Sequence, residues 1–155
     1  MNRSICHPAG HRAVLMLCLS AGLLLGTEAM AQQRGLTGSE SSSDAYLRFI
    51  PRTEMDIAVA GAAVALSLDA AGVCTAARVA IGAVAPTALL VPAAAAALIG
   101  SKLDDAALRK AAAAASAASS PISDKRGTAE FRKKVVGVLV RRAAVIAKAR
   151  IQAKV

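Results

Sequence analysis

Few residues in this chain are of the types that usually carry out chemistry, and they are dispersed. The chain has three cysteines and two histidines, at Cys6, Cys18, Cys74, His7 and His11. No CxxC pair accompanies the histidines, and the five residues do not form a ligand set of the usual spacing. The sequence therefore predicts no zinc or iron–sulfur site.

The carboxylates do not form a catalytic pair either. Asp104 and Asp105 are adjacent, but neighbouring positions of a helix point in different directions. The sequence contains no GxSxG, HExxH, GxxxxGK[ST] or GxGxxG motif. We therefore predict no catalytic residue and no metal ligand, and the residues by themselves indicate a binding or structural module.

The first 31 residues have the three-part pattern of a secretory signal peptide. Arg3 and Arg12 precede an uncharged, mostly apolar run at 13–26, and Ala29-Met30-Ala31 offers small residues flanking a variable one. The polar segment that follows, QQRGLTGSESSSDA at 32–45, predicts a disordered linker. A false gene start is the alternative explanation of the leader, and it stays open. Use of the leader would remove both histidines and leave Cys74 as a lone thiol.

A β-hairpin is predicted from Asp56 onwards. The first strand, DIAVAGAAVALSLDAAG, is mostly apolar on both of its alternating faces. We therefore expect one face to pack on helices and the other on a partner surface or domain. The turn at 69–72 ends on Gly72, which can supply a positive φ. A second strand at 73–85 and a short third strand in PTALLV complete the predicted sheet.

Three helices are predicted after the sheet. A short helix covers 92–99 with Pro92 at its first position, a second begins near Asp104, and a long one covers 128–155. On the long helix an apolar arc of about 120° is formed at 100° per residue by Phe131, Val135, Val138, Leu139, Val145 and Ile146. The opposite side is basic, with Lys133, Lys134, Arg141 and Lys148. We expect the arc to dock on the core, and the alternative is an anionic-membrane or nucleic-acid surface.

The net charge of +9 belongs to the C-terminal segment. Residues 125–155 hold ten Lys or Arg against one acid, Glu130. Such a segment is either a solvated helix face or a surface for nucleic acid, anionic lipid or an acidic partner. Aromatic residues are almost absent, with only Tyr46, Phe49 and Phe131. This scarcity disfavours nucleic-acid modules, which stack bases on aromatic rings.

Three stretches, in this order, resemble one family. They are RFIPRTEMDIAVAGAAVALSLD, ARVAIGAVAPTALLVPAAAAALIG and PISDKRGTAEFRKKVVGVLVRRA. Within them, R-x-x-x-D-I-A at 52–58, G-A-V-A-P-T at 82–87 and S-D-x-R-G-[ST]-x-E-[YF]-R at 123–132 are specific in combination. Over 45–151 the chain resembles the C-terminal domain of the FAD-binding medium subunit of molybdenum hydroxylases, the group that includes carbon monoxide dehydrogenase and the xanthine dehydrogenase family. The resemblance implies an α+β fold, with a small three-stranded antiparallel sheet covered by helices and a long C-terminal amphipathic helix.

The resemblance also implies a function. Members of this family pass electrons from a molybdenum and iron–sulfur system through FAD, so molybdenum-cofactor and iron–sulfur subunits are the implied partners. In the family, two FAD-binding portions with glycine-rich stretches precede this domain, whereas a leader and a linker stand there in this sequence. We therefore expect a truncated C-terminal module with a structural or subunit-contact role. It is expected not to be catalytic alone and to bind no FAD by itself.

One candidate cofactor-binding residue follows from the resemblance. Family members often have a basic residue shortly before the R-x-x-x-D-I-A core that can reach the flavin, and Arg48 occupies that position here. It would contact FAD only in a complete subunit, and the alternative is a solvated arginine at a strand entry. Four further motif residues are expected to be caps and ion pairs that stabilise the domain: Arg52, Asp56, Asp124 and Arg126.

A second hypothesis starts from the leader and the basic helix. In it, the chain is an exported basic binding protein whose C-terminal amphipathic helix engages an anionic membrane or a partner surface. Its location would be periplasmic or secreted if the leader is used, and cytoplasmic if the gene start is wrong.

Overall fold

The structure is a computed structural model of the chain, and it describes residues 41–52 and 56–153. The predicted signal peptide, and the predicted linker up to residue 40, lie outside the described residues. In the described part of the chain, four strands are followed by three helices. The predicted α+β class is confirmed.

The strands form one antiparallel sheet in sequence order. They are β1 at Ser42–Phe49, β2 at Ala60–Leu68, β3 at Cys74–Gly82 and β4 at Leu89–Leu90. Each strand pairs with the next one along the chain. β1 and the short β4 are therefore the two edges of the sheet.

The turn between β2 and β3 is held by an aspartate and made possible by a glycine. Asp69 Oδ1 accepts hydrogen bonds from the N–H groups of Ala71 and Val73, at 2.9 and 2.8 Å. Gly72 has a φ of 77°. This left-handed conformation is unfavourable for most side chains but not for glycine. The positive φ predicted for Gly72 is confirmed.

The three predicted helices are present, with slightly different ends. They are α1 at Pro92–Leu98, α2 at Asp105–Ala118 and α3 at Ala129–Gln152. Pro92 stands at the start of α1, where its missing N–H removes no helical hydrogen bond. α3 begins after Thr128, whose Oγ1 accepts a hydrogen bond from the N–H of Phe131 at 3.2 Å. This cap satisfies one of the unpaired N–H groups at the start of the helix.

The helices cover one face of the sheet. α3 packs on β1 and β2, α1 packs on β3, and α2 packs on α1 and α3. Alternate side chains of a strand point to opposite faces, and the helix-facing residues of β2 are all buried: Ala60, Ala62, Val64, Leu66 and Leu68. Cys74 is also buried at the start of β3, where it packs as a small apolar residue.

The sheet has four strands where three were predicted. The prediction omits β1, and the predicted linker overlaps the first four residues of that strand. β1 is an edge strand with a polar beginning, so its sequence lacks a clear alternation. Its pairing with β2, from Ser42 beside Ser67 to Phe49 beside Ala60, makes it a strand. β2 begins at Ala60, four residues later than predicted.

The buried face of α3 differs from the predicted apolar arc. Leu139 is buried, but Phe131, Val138 and Val145 are 44%, 48% and 50% exposed. Apart from Leu139, the residues that α3 buries are mostly small or β-branched: Arg132, Val136, Gly137, Val140, Ala143, Ala144, Ala147 and Ile151. Small side chains let α3 approach its neighbours closely, and a ranking by hydrophobicity does not detect this steric preference.

Gly137 shows how close the approach between α2 and α3 is. A Cβ atom at this position would lie 2.6 Å from Ser116 Oγ and 3.1 Å from the carbonyl oxygen of Ala112. The Ser116 hydroxyl in turn donates a hydrogen bond of 2.8 Å to the carbonyl oxygen of Lys133. The two helices therefore meet where α3 has no side chain.

We expect Gly137→Ala to lower the free energy of unfolding by about 1–2 kcal/mol, because α2 and α3 must move apart to accept the methyl group. The cost of separating the two helices is larger than the gain of about 1 kcal/mol that alanine has over glycine in helix propensity. Adding Ser116→Ala should restore part of the stability, because it removes the nearest obstructing atom. Urea unfolding of the wild type, both single variants and the double variant measures this. A Gly137→Ala protein as stable as the wild type would contradict the close approach.

Candidate functional site

One face of the sheet carries no helix and is lined mostly by small residues. We call it the open face, and it consists of Ser42, Asp44, Tyr46, Arg48, Gly61, Ala63, Ala65, Ser67, Ala76, Arg78, Ala80, Gly82 and Leu90. Two larger apolar side chains project from it, since Tyr46 is 61% and Leu90 is 65% exposed. A sheet face of small residues that no helix covers lets another surface approach the backbone closely. The open face is therefore a candidate interface.

Tyr46 lies against a glycine on the open face. A Cβ atom at Gly61 would be 3.1 Å from the Tyr46 hydroxyl oxygen and 3.5 Å from an atom of its ring. The phenol ring therefore rests close to β2, where a side chain would push it away. The result is a flat apolar surface beside the edge of the sheet.

The structure places Arg48 at the same end of the open face. Arg48 is an exposed residue of β1 and pairs with Gly61, two positions from Tyr46 along the strand. The described residues contain no glycine-rich loop that leads into a helix, which is the usual cradle for a pyrophosphate. By themselves, the described residues therefore do not form the phosphate cradle that FAD requires.

The motif residues gather around a buried arginine, Arg132, which is 5% exposed in the first turn of α3. Its Nη2 lies 2.6 Å from Asp124 Oδ1. Its Nη1 donates to the carbonyl oxygens of Val59 and Ala83, at 3.3 and 3.4 Å. One guanidinium thus joins α3 to the residue before β2 and to the residue after β3.

The four motif residues predicted to form ion pairs do so. Asp56 lies 3.5 Å from Arg52 Nε and 3.8 Å from Arg126 Nε. Arg126 Nη1 is also 4.0 Å from Asp124 Oδ2. The prediction omits Arg132, the centre of the cluster. The sequence does contain a signal for Arg132, because the S-D-x-R-G-[ST]-x-E-[YF]-R run ends on this arginine.

Asp124 also organises the turn before α3. Its Oδ1 accepts a hydrogen bond of 2.8 Å from the N–H of Arg126. The backbones of Asp124 and Gly127 exchange two hydrogen bonds of 3.1 Å. The hydrogen bond from Arg132, and then the N–H of Arg126, hold the pKa of the Asp124 carboxyl below its ordinary value.

A second ionic cluster joins α2 to α3. Asp105 pairs with Arg109 one turn later, as predicted, and lies 3.0 Å from Arg141 Nη2. The hydrogen bond from Arg109, more than the charge of Arg141, lowers the pKa of the Asp105 carboxyl. These side chains are solvent-exposed, so the contribution of the cluster to stability is small.

The remaining reactive group in the described residues is the Cys74 thiol. Burial raises its pKa to about 11, so the thiol stays protonated at neutral pH and is a poor nucleophile. Within 41–52 and 56–153, no three side chains of His, Cys, Asp or Glu converge to hold a metal ion. In the same part of the chain, no helix is long and apolar enough to cross a membrane.

The fold is an α+β module in which helices cover one face of the sheet and leave the other face open. Residues 45–147 match the family described as the CO dehydrogenase flavoprotein C-terminal domain. Because the match covers most of the chain, the chain belongs to this family. A comparison with curated protein sequences found no match.

Solved structures of two enzyme types share the fold. The chain is 41% identical to a chain of CO dehydrogenase from Oligotropha carboxidovorans, with a TM-score of 0.69, over 73% of this chain and 39% of that one. It is 37% identical to CO dehydrogenase from Hydrogenophaga pseudoflava, with a TM-score of 0.69, over 73% of this chain and 39% of that one. It is 28% identical to quinoline 2-oxidoreductase from Pseudomonas putida 86, with a TM-score of 0.66, over 70% of this chain and 38% of that one. The chain thus carries the C-terminal domain of a molybdenum-hydroxylase FAD subunit and spans less than two-fifths of the chains it matches.

We expect Arg132→Met to lower the free energy of unfolding by about 3 kcal/mol, because it removes the buried cation of an ion pair and two hydrogen bonds to carbonyl oxygens. Lys133→Met is the matched control, since Lys133 is the next residue and is exposed. The control should change stability by no more than about 0.5 kcal/mol. Guanidinium unfolding compares the two variants, and an equal loss in both would contradict the role of Arg132.

Asp124 is expected to make stability fall on the acid side. Its pKa is lower in the folded protein than the ordinary value of 3.8, so the unfolded chain binds the proton more readily. The contribution of Asp124 to the free energy of unfolding is complete at pH values above the ordinary pKa, and it is lost as the pH falls through the pKa of the folded protein. Asp124→Asn should therefore be less stable than the wild type at about pH 6, and the difference should shrink below about pH 4. Urea unfolding across this range tests it, and a constant difference would contradict the pairing with Arg132.

Proposed function

We propose that this domain is the non-catalytic C-terminal module of an FAD-binding subunit that transfers electrons in a molybdenum hydroxylase. Its role is structural or one of subunit contact. The observation that carries the proposal is the open face. A domain that worked alone would leave this sheet face exposed to water, and it would be more stable with the face covered. The implied partners are the molybdenum-cofactor and iron–sulfur subunits of the parent complex.

The open face suits close contact with another domain. Ala63 and Ala80 present a low surface, so a partner can approach the sheet within van der Waals distance. Tyr46 and Leu90 project at its two sides, and covering them removes apolar area from water at about 25 cal/mol per Å². We infer that the flavin-binding portions of the subunit pack on this face.

Arg48 is the candidate flavin contact in this arrangement. It lies at the edge of the open face beside Tyr46, and a guanidinium can donate hydrogen bonds to oxygen atoms of a bound group. FAD supplies the electron transfer when it is bound. Arg48 would orient one side of it, while the pyrophosphate requires a glycine-rich cradle that the described residues do not provide. We therefore expect no FAD to bind to the 155-residue chain alone.

A chimera tests the proposal. We expect an FAD-binding subunit of a molybdenum hydroxylase, with its C-terminal domain replaced by residues 45–147 of this chain, to retain about one FAD per chain. Ala63→Glu should lower that content at least about fivefold, because it places an unpaired charge in the covered face. Ala113→Glu makes the same change at an exposed position of α2 and should have no effect. Flavin absorbance after gel filtration measures the content.

The same chimera separates the two interpretations of Arg48. Arg48→Met should weaken FAD binding about tenfold if the guanidinium contacts the flavin. Arg78→Met is the matched control, because Arg78 lies on the same face but pairs with Ala65, about 13 Å further along β2. If Arg48→Met and Arg78→Met have equal effects on FAD binding, Arg48 does not contact the flavin. A 155-residue chain that binds FAD one to one by itself would overturn the proposal.

A further inference from the structure

A groove runs between α3 and the outer edge of β1, on the helix-bearing side of the sheet. Its volume is about 770 Å³. Its apolar lining consists of Leu47, Phe49, Val138, Leu139, Val145 and Ile146. The groove and the open face share Arg48 at the edge of β1, but the apolar lining of the groove lies on the other side of the sheet, because Leu47 and Phe49 point to the opposite side of β1 from Tyr46.

The groove accounts for the apolar residues that α3 does not bury. Val138 and Val145 are about half exposed. They are seven residues apart, so they lie about 10 Å apart along the same side of the helix. Phe49 forms an edge-to-face contact with Phe131 at a centroid distance of 6.0 Å and remains 39% exposed. Apolar side chains thus continue along this side of α3 without cover from the described residues.

The charges around the groove have one sign. Arg48, Arg141 and Arg142 line it, and no acidic residue does among the described residues. Arg141 pairs with Asp105. Arg142 is exposed, and no carboxylate in the described part of the chain lies within ion-pair distance of it. A guanidinium matches a carboxylate in geometry as well as in charge.

The shape of the groove favours a protein segment over a lipid surface. Leu139 is only 7% exposed, and Leu47 and Ile146 are half-buried. This apolar floor is recessed between α3 and β1. A flat lipid surface binds apolar side chains that project into it, whereas a recessed floor accepts the side chains of a partner.

We propose that the groove binds an acidic amphipathic segment of a partner protein. Apolar side chains of that segment enter between Val138 and Val145 and rest on Leu139, and a carboxylate of the segment pairs with Arg142. The 10 Å spacing of the two valines corresponds to about two helical turns, so a helix with apolar residues at i, i+3 or i+4, and i+7 fits the site. The proposal goes beyond the docking of flavin-binding portions on the open face, and neither depends on the other.

The test uses the full 155-residue chain and a designed probe. The probe is a fluorescein-labelled helical peptide of about 14 residues, with leucine at i, i+3, i+4 and i+7 and glutamate on its other face. We expect fluorescence anisotropy to show binding of this peptide. A scrambled peptide of the same composition, and a peptide with lysine in place of glutamate, should bind at least about tenfold more weakly.

Variants of α3 locate the binding. Arg142→Glu should weaken binding of the probe about tenfold or more, because it reverses the charge beside the groove. Lys133→Glu makes the same charge change on the same helix outside the groove and should alter binding by no more than about twofold. Val138→Ser should also weaken binding several-fold, and because Val138 is half exposed the variant should fold normally.

Three results would overturn the proposal. The first is equal binding of the scrambled and the patterned peptide. The second is an equal effect of Arg142→Glu and Lys133→Glu. The third is binding to phosphatidylglycerol vesicles that depends on Arg142, with no binding of the probe, which would make this surface a membrane contact.

Discussion

The ion pair between Arg132 and Asp124 is the interaction on which the rest of the domain depends. Arg132 comes from the first turn of α3 and reaches two carbonyl oxygens, one just before β2 and one just after β3. Both belong to backbone that has left the sheet, where its polar groups need another partner. A side chain with a planar set of donors can supply these bonds and an ion pair together. The orientation of the long helix on the sheet is thereby linked to both strands of the central hairpin at its open end.

The packing of α3 follows from this anchor. With Arg132 buried, the residues that face inward are those that share its side of the helix, and apart from Leu139 these are small or β-branched. Gly137 allows α2 to approach within contact distance of the helix backbone. The many alanines that α3 buries gain little area per residue, so its packing relies on close approach to its neighbours. Val138 and Val145 lie on another side of α3 and remain about half exposed.

Two uncovered surfaces result, and they have different character. The open face is flat, lined mostly by small residues and part of the sheet, which suits docking of another domain over a broad area. The groove is recessed and basic, which suits a narrow acidic segment. The family to which the chain belongs supplies the context for the first surface. The second surface follows from geometry and charge in the described residues.

The sequence by itself determined the class of the fold, the three helices, the hairpin turn at Gly72 and the ion pairs of the motif residues. Most of these features depend on local chemistry: glycine for a positive φ, proline at a helix start, and the charges of Arg52 and Asp56, or of Asp124 and Arg126, close together in the chain. The pairing of Asp56 with Arg126 is the exception, because it joins distant parts of the chain. Three ordered motifs were also enough to suggest the family. The tertiary structure alone decided that β1 is a strand, because an edge strand with polar residues takes its conformation from its neighbour. It also decided which side of α3 is buried, because steric fit and one buried arginine outweigh the arc of larger apolar residues.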